Sequence, residues 1–102
     1  MFKLIKFQLI TKKRCNRCRL VKEFLIQQNV AFEEWKLEDR EIVDRLLHDP
    51  IFLEKFDDLL NFDGVVLPTP AIRIDETGEY YSKELFGFFN LREDFIKKIL
   101  KL

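Results

Sequence analysis

Phe2-Lys3-Leu4-Ile5-Lys6-Phe7-Gln8-Leu9-Ile10 leads through a short basic stretch into Cys15-Asn16-Arg17-Cys18, and Leu20, Val21, Phe24 and Leu25 follow. The first segment reads as a strand over about 2–10, apolar on both faces as a buried central strand is. The spacing of the later apolar residues predicts a helix over about 16–28. The cysteine pair therefore falls where a strand gives way to a helix. A Cys-x-x-Cys at such a junction reads as a thiol–disulfide redox site. The chain holds no other cysteine.

Thiol–disulfide exchange needs an accessible thiolate and a second thiol within reach of it. Two intervening residues at a helix start bring the two sulfurs together in the first turn. Cys15 would meet the unpaired backbone N–H groups and the positive end of the helix dipole, both of which favour a thiolate. The neighbours act in the same direction. Lys12, Lys13, Arg14, Arg17 and Arg19 are basic, and no acid appears until Glu23. Cys15 is the predicted nucleophile, and Cys18, one turn further in, the resolving thiol. Lys13, Arg14 and Arg17 form the surround expected to lower the Cys15 pKa.

Composition bounds the alternatives. A chain of 102 residues suits one domain, 1–102, and is too short for two. Eleven Phe and 47% apolar residues are enough for a core without a disulfide staple. Eighteen basic residues balance eighteen acidic ones, which argues against a nucleic-acid binder, since those carry a basic excess. No apolar run approaches membrane-spanning length. The N-terminus carries no signal-peptide pattern, so a cytoplasmic setting is expected. There a structural disulfide is unusual, and a cysteine pair points to catalysis or metal.

Further along, a strand is expected over about 30–37, with Trp35 in the core. Asp39 looks like an N-cap for a helix bearing Ile42, Val43, Leu46 and Leu47. Asp49 can cap a second helix with Pro50 at its first position. Phe52, Leu53, Phe56, Leu59 and Leu60 would line that helix, and Gly64 would end the segment. The stretch 40–62 thus holds an extra or elongated helix. A third strand over about 71–75 turns at Asp75-Glu76-Thr77-Gly78 into a fourth over about 79–82. A last helix is expected after Asn90, with Glu93 completing a near capping box and Leu91 on its apolar face. Glu93 and Asp94 would start it and Lys97, Lys98 and Lys101 finish it, as the dipole prefers. Phe86, Phe88 and Phe89 read as core, with an aromatic partner surface beside the site as the second reading. Glu33-Glu34 and Asp57-Asp58 read as solvated acids, and His48 as a surface residue near a helix end. The sum is an α/β fold ordered βαβ, then one or two helices, then ββα: a four-stranded mixed sheet with helices on both faces.

This order, Cys15-x-x-Cys18 and the Thr69-Pro70 that directly precedes the third strand together resemble the glutaredoxin branch of the thioredoxin superfamily. The resemblance covers most of the chain. It implies a dithiol–disulfide oxidoreductase serving electron transport and cell redox homeostasis. Lys12, three residues before the first cysteine, matches a family lysine that contacts the glutathione carboxylate. The family proline is cis and faces the cysteines, which assigns that isomer to Pro70 and a substrate-pairing backbone to Thr69. Pro68 competes, because a thioredoxin-like reading takes Leu67-Pro68-Thr69 instead. The resemblance also implies protein disulfide substrates, a reductant of thioredoxin-reductase type or glutathione, no nucleic acid, no membrane and a monomer. The chain departs from the pattern in several places, among them Leu9, six residues before Cys15, which is not the buried acid that thioredoxins use there, and the segment Arg40 to Phe62, longer than the usual single helix. Asn16 stands where proline or glycine is common, Arg14 where an aromatic residue is common, and Tyr80-Tyr81-Ser82-Lys83-Glu84 replaces the glycine pair that binds glutathione. No resident cofactor is expected, and glutathione is the one small molecule to be tested.

Two other readings use the same residues. The cysteines of two copies could complete a zinc or iron–sulfur site, which one chain with the remote His48 cannot close. Alternatively, the fold serves as a binding module whose thiols are idle, with the basic cluster recruiting an acidic partner.

Overall fold

The structure is a computed structural model that describes residues 5–57, 60–61, 64–65, 67–88 and 90–102. In chain order the elements are β1 (Phe7–Thr11), α1 (Asn16–Gln27), β2 (Glu33–Lys36), α2 (Arg40–Leu47) and α3 (Pro50–Lys55). There follow β3 (Leu60–Asn61), β4 (Gly64–Val65), β5 (Ala71–Ile74), β6 (Tyr80–Tyr81), a 3₁₀ turn over Lys83–Leu85 and α4 (Glu93–Leu100). Four strands form one sheet in the order β2-β1-β5-β6. β1 runs parallel to β2 and antiparallel to β5, and β6 is antiparallel to β5. β3 and β4 form a separate two-stranded pair.

β1 is central, and all five of its residues are buried, so its apolar run follows from contact on both faces. Phe7 and Leu9 point to the face covered by Val21, Phe24 and Leu25 of α1 and Ile96 and Leu100 of α4. Ile10, with Trp35 and Tyr80 from the neighbouring strands, packs beneath Leu46 of α2, Phe52 of α3 and Phe56. Gln8 is buried on the latter side and is satisfied by Arg73 and Asp75, whose side chains lie 2.9 and 3.2 Å from its amide. Helices therefore cover both faces of a mixed sheet.

The local signals explain most boundaries. Asp39 caps α2 by accepting the Glu41 N–H at 2.9 Å, and Asp49 caps α3 by accepting the Ile51 N–H at 3.0 Å, with Pro50 at the first helical position. Asn29 ends α1 with φ +58°, a conformation that asparagine tolerates. Gly78 sits at φ +73° and closes the β5–β6 turn with an N–H bond to Ile74 O of 2.7 Å.

Several expected boundaries move. β2 covers only Glu33–Lys36, because its length is set by the register with Gln8–Thr11 of β1. β1 starts at Phe7, opposite Ile74, and residues 2–4 of the expected strand lie outside the described residues. β5 and β6 are each shorter than expected for the same reason of pairing. The helix begun at Pro50 stops at Lys55, with Phe56 as its cap. Leu60, expected on that helix, is in β3 opposite Val65, and Gly64 begins β4. Leu59 lies outside the described residues. Asn90 does not cap α4. Its carbonyl accepts the Gly87 N–H at 2.7 Å, Leu91 bridges to Phe86, and the helix starts beyond Arg92 with no side-chain cap. The acidic first turn and the basic last turn of α4 are as expected.

A candidate redox site at the start of α1

β1 ends at Thr11, and the chain turns through Lys12–Arg14 into α1. Arg14 makes the turn at φ +57°, a left-handed conformation usual for glycine and uncommon for other residues. This bend sets Cys15 at the N-cap of α1. Its Sγ accepts the Cys18 backbone N–H at 3.1 Å. Cys15 and Cys18 are joined by a disulfide, with Cα atoms 5.2 Å apart. Cys18 is only 4% exposed, while Cys15 is half-buried. The pair is thus one accessible sulfur at a helix terminus and one shielded sulfur a turn behind it. α1 has no acidic residue in its first turn to oppose a thiolate.

A cavity of about 340 Å³ opens over the pair, lined by Lys12, Arg14, Cys15, Cys18, Lys22 and Glu34 among others. Of the residues singled out in the sequence, the structure brings Lys12 and Arg14 to this cavity with both cysteines. Lys13 and Arg17 are exposed and do not line it: the Lys13 backbone N–H donates to Glu38, and the Arg17 guanidinium lies 5.1 Å from the centre of the Phe86 ring. The Thr69–Pro70 peptide is cis, whereas no cis bond involves Pro68. Because Ile10 pairs with Ala71, Pro70 lies beside the C-terminal end of β1, the end from which the cysteine turn departs. The Pro70 carbonyl accepts the Ser82 hydroxyl at 2.9 Å, which ties this loop to the segment after β6.

That segment, where a glycine pair would bind glutathione, is here a 3₁₀ turn anchored by buried Leu85. Glu84 receives the Lys55 ammonium and the Ser82 N–H. Partial burial raises the Glu84 pKa, but these donors outweigh it and hold the carboxyl below its ordinary value. Beside it, Phe86 is half-buried, while Phe88 is 92% exposed and so is not the core residue expected. Phe89 lies outside the described residues. His48 is exposed, with Nδ1–H donating to Asp44 O at 2.7 Å.

The acid pair Glu33-Glu34 is not simply solvated. Glu33 accepts the indole N–H of buried Trp35. Glu34 reaches the cysteine cavity, where it accepts the Thr11 hydroxyl at 2.7 Å and the Lys22 ammonium at 2.8 Å. Partial burial pushes the Glu34 pKa up, yet the bonds from Lys22 and Thr11, with the charges of Lys22 and Lys36, bring it below the ordinary value. The sequence held a signal for this group. Cys15, Cys18 and Lys22 recur with helical spacing, and parallel pairing sets Glu34 on the Thr11 face. Asp57 is exposed and Asp58 lies outside the described residues. Among the described residues no three His, Cys, Asp or Glu side chains cluster, and no helix is long and apolar enough to cross a membrane.

No protein-family model matches the chain, and neither does any curated protein sequence. Solved structures do. The crystal structure of the thioredoxin-like protein BC3987 superposes with a TM-score of 0.58 at 27% identity, over 93% of this chain and 100% of that one. A single-substitution mutant of the same protein gives 0.57 at 26%, over 93% and 99%. Glutaredoxin 1 from Francisella tularensis, solved in complex with cacodylate, gives 0.50 at 22% identity, over 96% and 99%. These likenesses run nearly end to end, and in this chain the shared fold carries the Cys15–Cys18 pair at a helix start. The chain has a thioredoxin-like fold.

Proposed function

We propose that the chain is a dithiol–disulfide oxidoreductase acting on protein disulfides. The observation that carries this reading is Cys15 at the N-cap of α1, its sulfur accepting the Cys18 N–H at 3.1 Å and bonded to a shielded partner. In the reduced state the Cys15 thiolate attacks one sulfur of a substrate disulfide. A mixed disulfide forms, and the other substrate sulfur leaves as a thiolate that takes up a proton. Cys18 then loses its proton and attacks Cys15 Sγ. The Cys15–Cys18 bond forms, the second substrate sulfur departs, and two electrons have passed to the substrate. A thiol reductant, either a protein dithiol or glutathione, returns two electrons and resets the pair.

The backbone at Thr69 and the cis Pro70 are assigned the substrate strand. Lys12 and Arg14 supply positive charge at the cavity mouth, favouring the Cys15 thiolate and any carboxylate beside the substrate cysteine. The 3₁₀ turn at Lys83–Leu85 favours a protein dithiol over glutathione as donor, since it fills the place of the glycine pair with side chains. The protein is proposed to act as a cytoplasmic monomer.

The test is a redox titration of the purified protein against defined dithiol buffers, counting free thiols, together with capture by the Cys18→Ser variant. A two-electron transition between roughly −270 and −120 mV, the span of known thioredoxin-fold couples, and a trapped mixed disulfide are expected. A pair that forms no reversible disulfide, or whose thiols are held by metal after anaerobic purification, refutes the reading.

A further inference from the structure

Four cations line the cysteine cavity, Lys12, Arg14, Arg19 and Lys22, and they are not equivalent. Arg19 reaches away along α1 to Glu23 at 3.8 Å. Lys12 and Arg14 stand on the exposed turn before Cys15. Lys22 alone is held at the cavity wall by a carboxylate, Glu34, at 2.8 Å. Glu34 is itself fixed from a third element, by the Thr11 hydroxyl of β1. The Glu34 side chain is only 21% exposed and the Lys22 side chain 43%, so the carboxylate is the shielded half of the pair. This arrangement places one fixed negative charge, and one neutralised ammonium, beside sulfurs that become anionic on reduction.

We propose that Glu34 is a positioning residue for the redox couple: by holding Lys22 in an ion pair at the cavity wall, it withholds that ammonium from the thiolates and keeps the couple reducing. The inference rests on the oxidoreductase reading above. When a dithiol donor reduces the pair, the Cys15–Cys18 bond breaks, two electrons enter the two sulfurs and the donor becomes a disulfide. Of the two protons the donor releases, one goes to Cys18 Sγ and the other to solvent while Cys15 stays a thiolate. Every cation free to face that thiolate stabilises the reduced form and makes the disulfide a stronger oxidant. Lys12, Arg14 and the α1 terminus already do so. Lys22 would add to them if released; Arg19 lines the same cavity, and Lys36, on β2, is close enough for its charge to act on Glu34. Glu34 opposes the addition twice, through its own charge and through the one it neutralises.

The experiment is the thiol titration in dithiol buffers, at neutral pH and low salt, on the wild type, Glu34→Gln, Lys22→Met and the double variant. Gln keeps the bond from Thr11 and removes only the charge. In Glu34→Gln the equilibrium should move toward the reduced protein roughly tenfold, about 30 mV more oxidising. Lys22→Met should move it the other way, because Glu34 is then uncompensated. The double variant should return to within about threefold of the wild type. Iodoacetamide reactivity against pH should show the Cys15 thiolate persisting to lower pH in Glu34→Gln. If Glu34→Gln or, should it misfold, Lys22→Met leaves the equilibrium within twofold, the inference is overturned while the oxidoreductase reading stands. A double variant that matches Glu34→Gln overturns the part played by Lys22. A wild type without a reversible disulfide overturns both readings together.

Discussion

Replacing Tyr80 by Phe isolates one buried hydrogen bond and predicts its worth. Tyr80 is 2% exposed and lies in β6, with its ring edge-on to Phe52 and Phe56 at centroid distances of 5.1 and 6.2 Å. Its hydroxyl donates to Asp49 Oδ2 at 2.7 Å, while Asp49 Oδ1 caps α3 through the Ile51 N–H. Phe keeps the ring contacts and the cap, so the change removes only the bond that ties the start of α3 to the sheet. A hydrogen bond to a charged group contributes about 1.5–3 kcal/mol, and the carboxylate left behind is half-buried and partly rehydrated, so about 1.5–2 kcal/mol is expected. For a chain of this size that lowers Tm by roughly 10 °C. Burial, and then the Asp49 carboxylate, push the Tyr80 pKa far up. Its contribution is therefore complete below pH 10, the ordinary tyrosine value, and is lost as pH rises beyond it. Urea unfolding at pH 7 and pH 10.5 should show a wild-type advantage that shrinks at the higher pH. The redox midpoint should not move, since Tyr80 lies on the sheet face opposite α1. Equal stability of the two proteins at pH 7, or an advantage that grows with alkali, would refute the reasoning.

Other expectations follow from single features. Arg14→Gln removes a charge from the cavity mouth but not the turn, and should slow Cys15 alkylation at pH 7 several-fold by raising the fraction of protonated thiol; an unchanged rate would discount Arg14 as an activator. Gly78→Ala should destabilise by about 1–2 kcal/mol in denaturant melts, because φ is +73° and the new Cβ would stand 3.1 Å from Ile51 Cδ1. Asp39→Ala should cost about 1 kcal/mol through the lost cap of α2, and Asp49→Ala more, because it also loses the Tyr80 bond. Glu34 and Glu84 are held below the ordinary glutamate value of 4.5, so their stabilisation is full above that pH and disappears as acid is added. Acid unfolding should accordingly move to lower pH in a Glu84→Gln variant, relative to its own neutral stability.

What the sequence made legible was local chemistry. Asp39, Asp49 with Pro50, Gly78 and the Cys15–Cys18 junction each carry their reason within three or four residues, and the helix starts and the turn they mark are where they were expected. What stayed hidden was set by partners distant in sequence. Leu60 has the spacing of a helical residue but pairs with Val65 in a strand. Asn90 has the chemistry of a cap but spends its carbonyl on Gly87. The length of β2 follows from its register against β1, which no feature of Glu33–Lys36 announces by itself. Glu34 looked solvated for the same reason. Its role depends on Thr11 and Lys22, brought to it by the crossover from β1 through α1 to β2. The cis peptide at Thr69–Pro70 was legible only through family resemblance, since proline spacing alone left Pro68 in competition.

The rims of the sheet also bear on open-ended strand stacking. Its outer strands are β2 at one rim and β6 at the other. β2 reads Glu33-Glu34-Trp35-Lys36, so a strand arriving alongside would meet charged residues at three of its four positions. β6 is two residues long and gives way at once to the 3₁₀ turn. Short, charged rims of this kind are how β-proteins discourage open-ended stacking of strands. A chain with eleven Phe thus has both rims of its four-stranded sheet guarded against fibre-like growth.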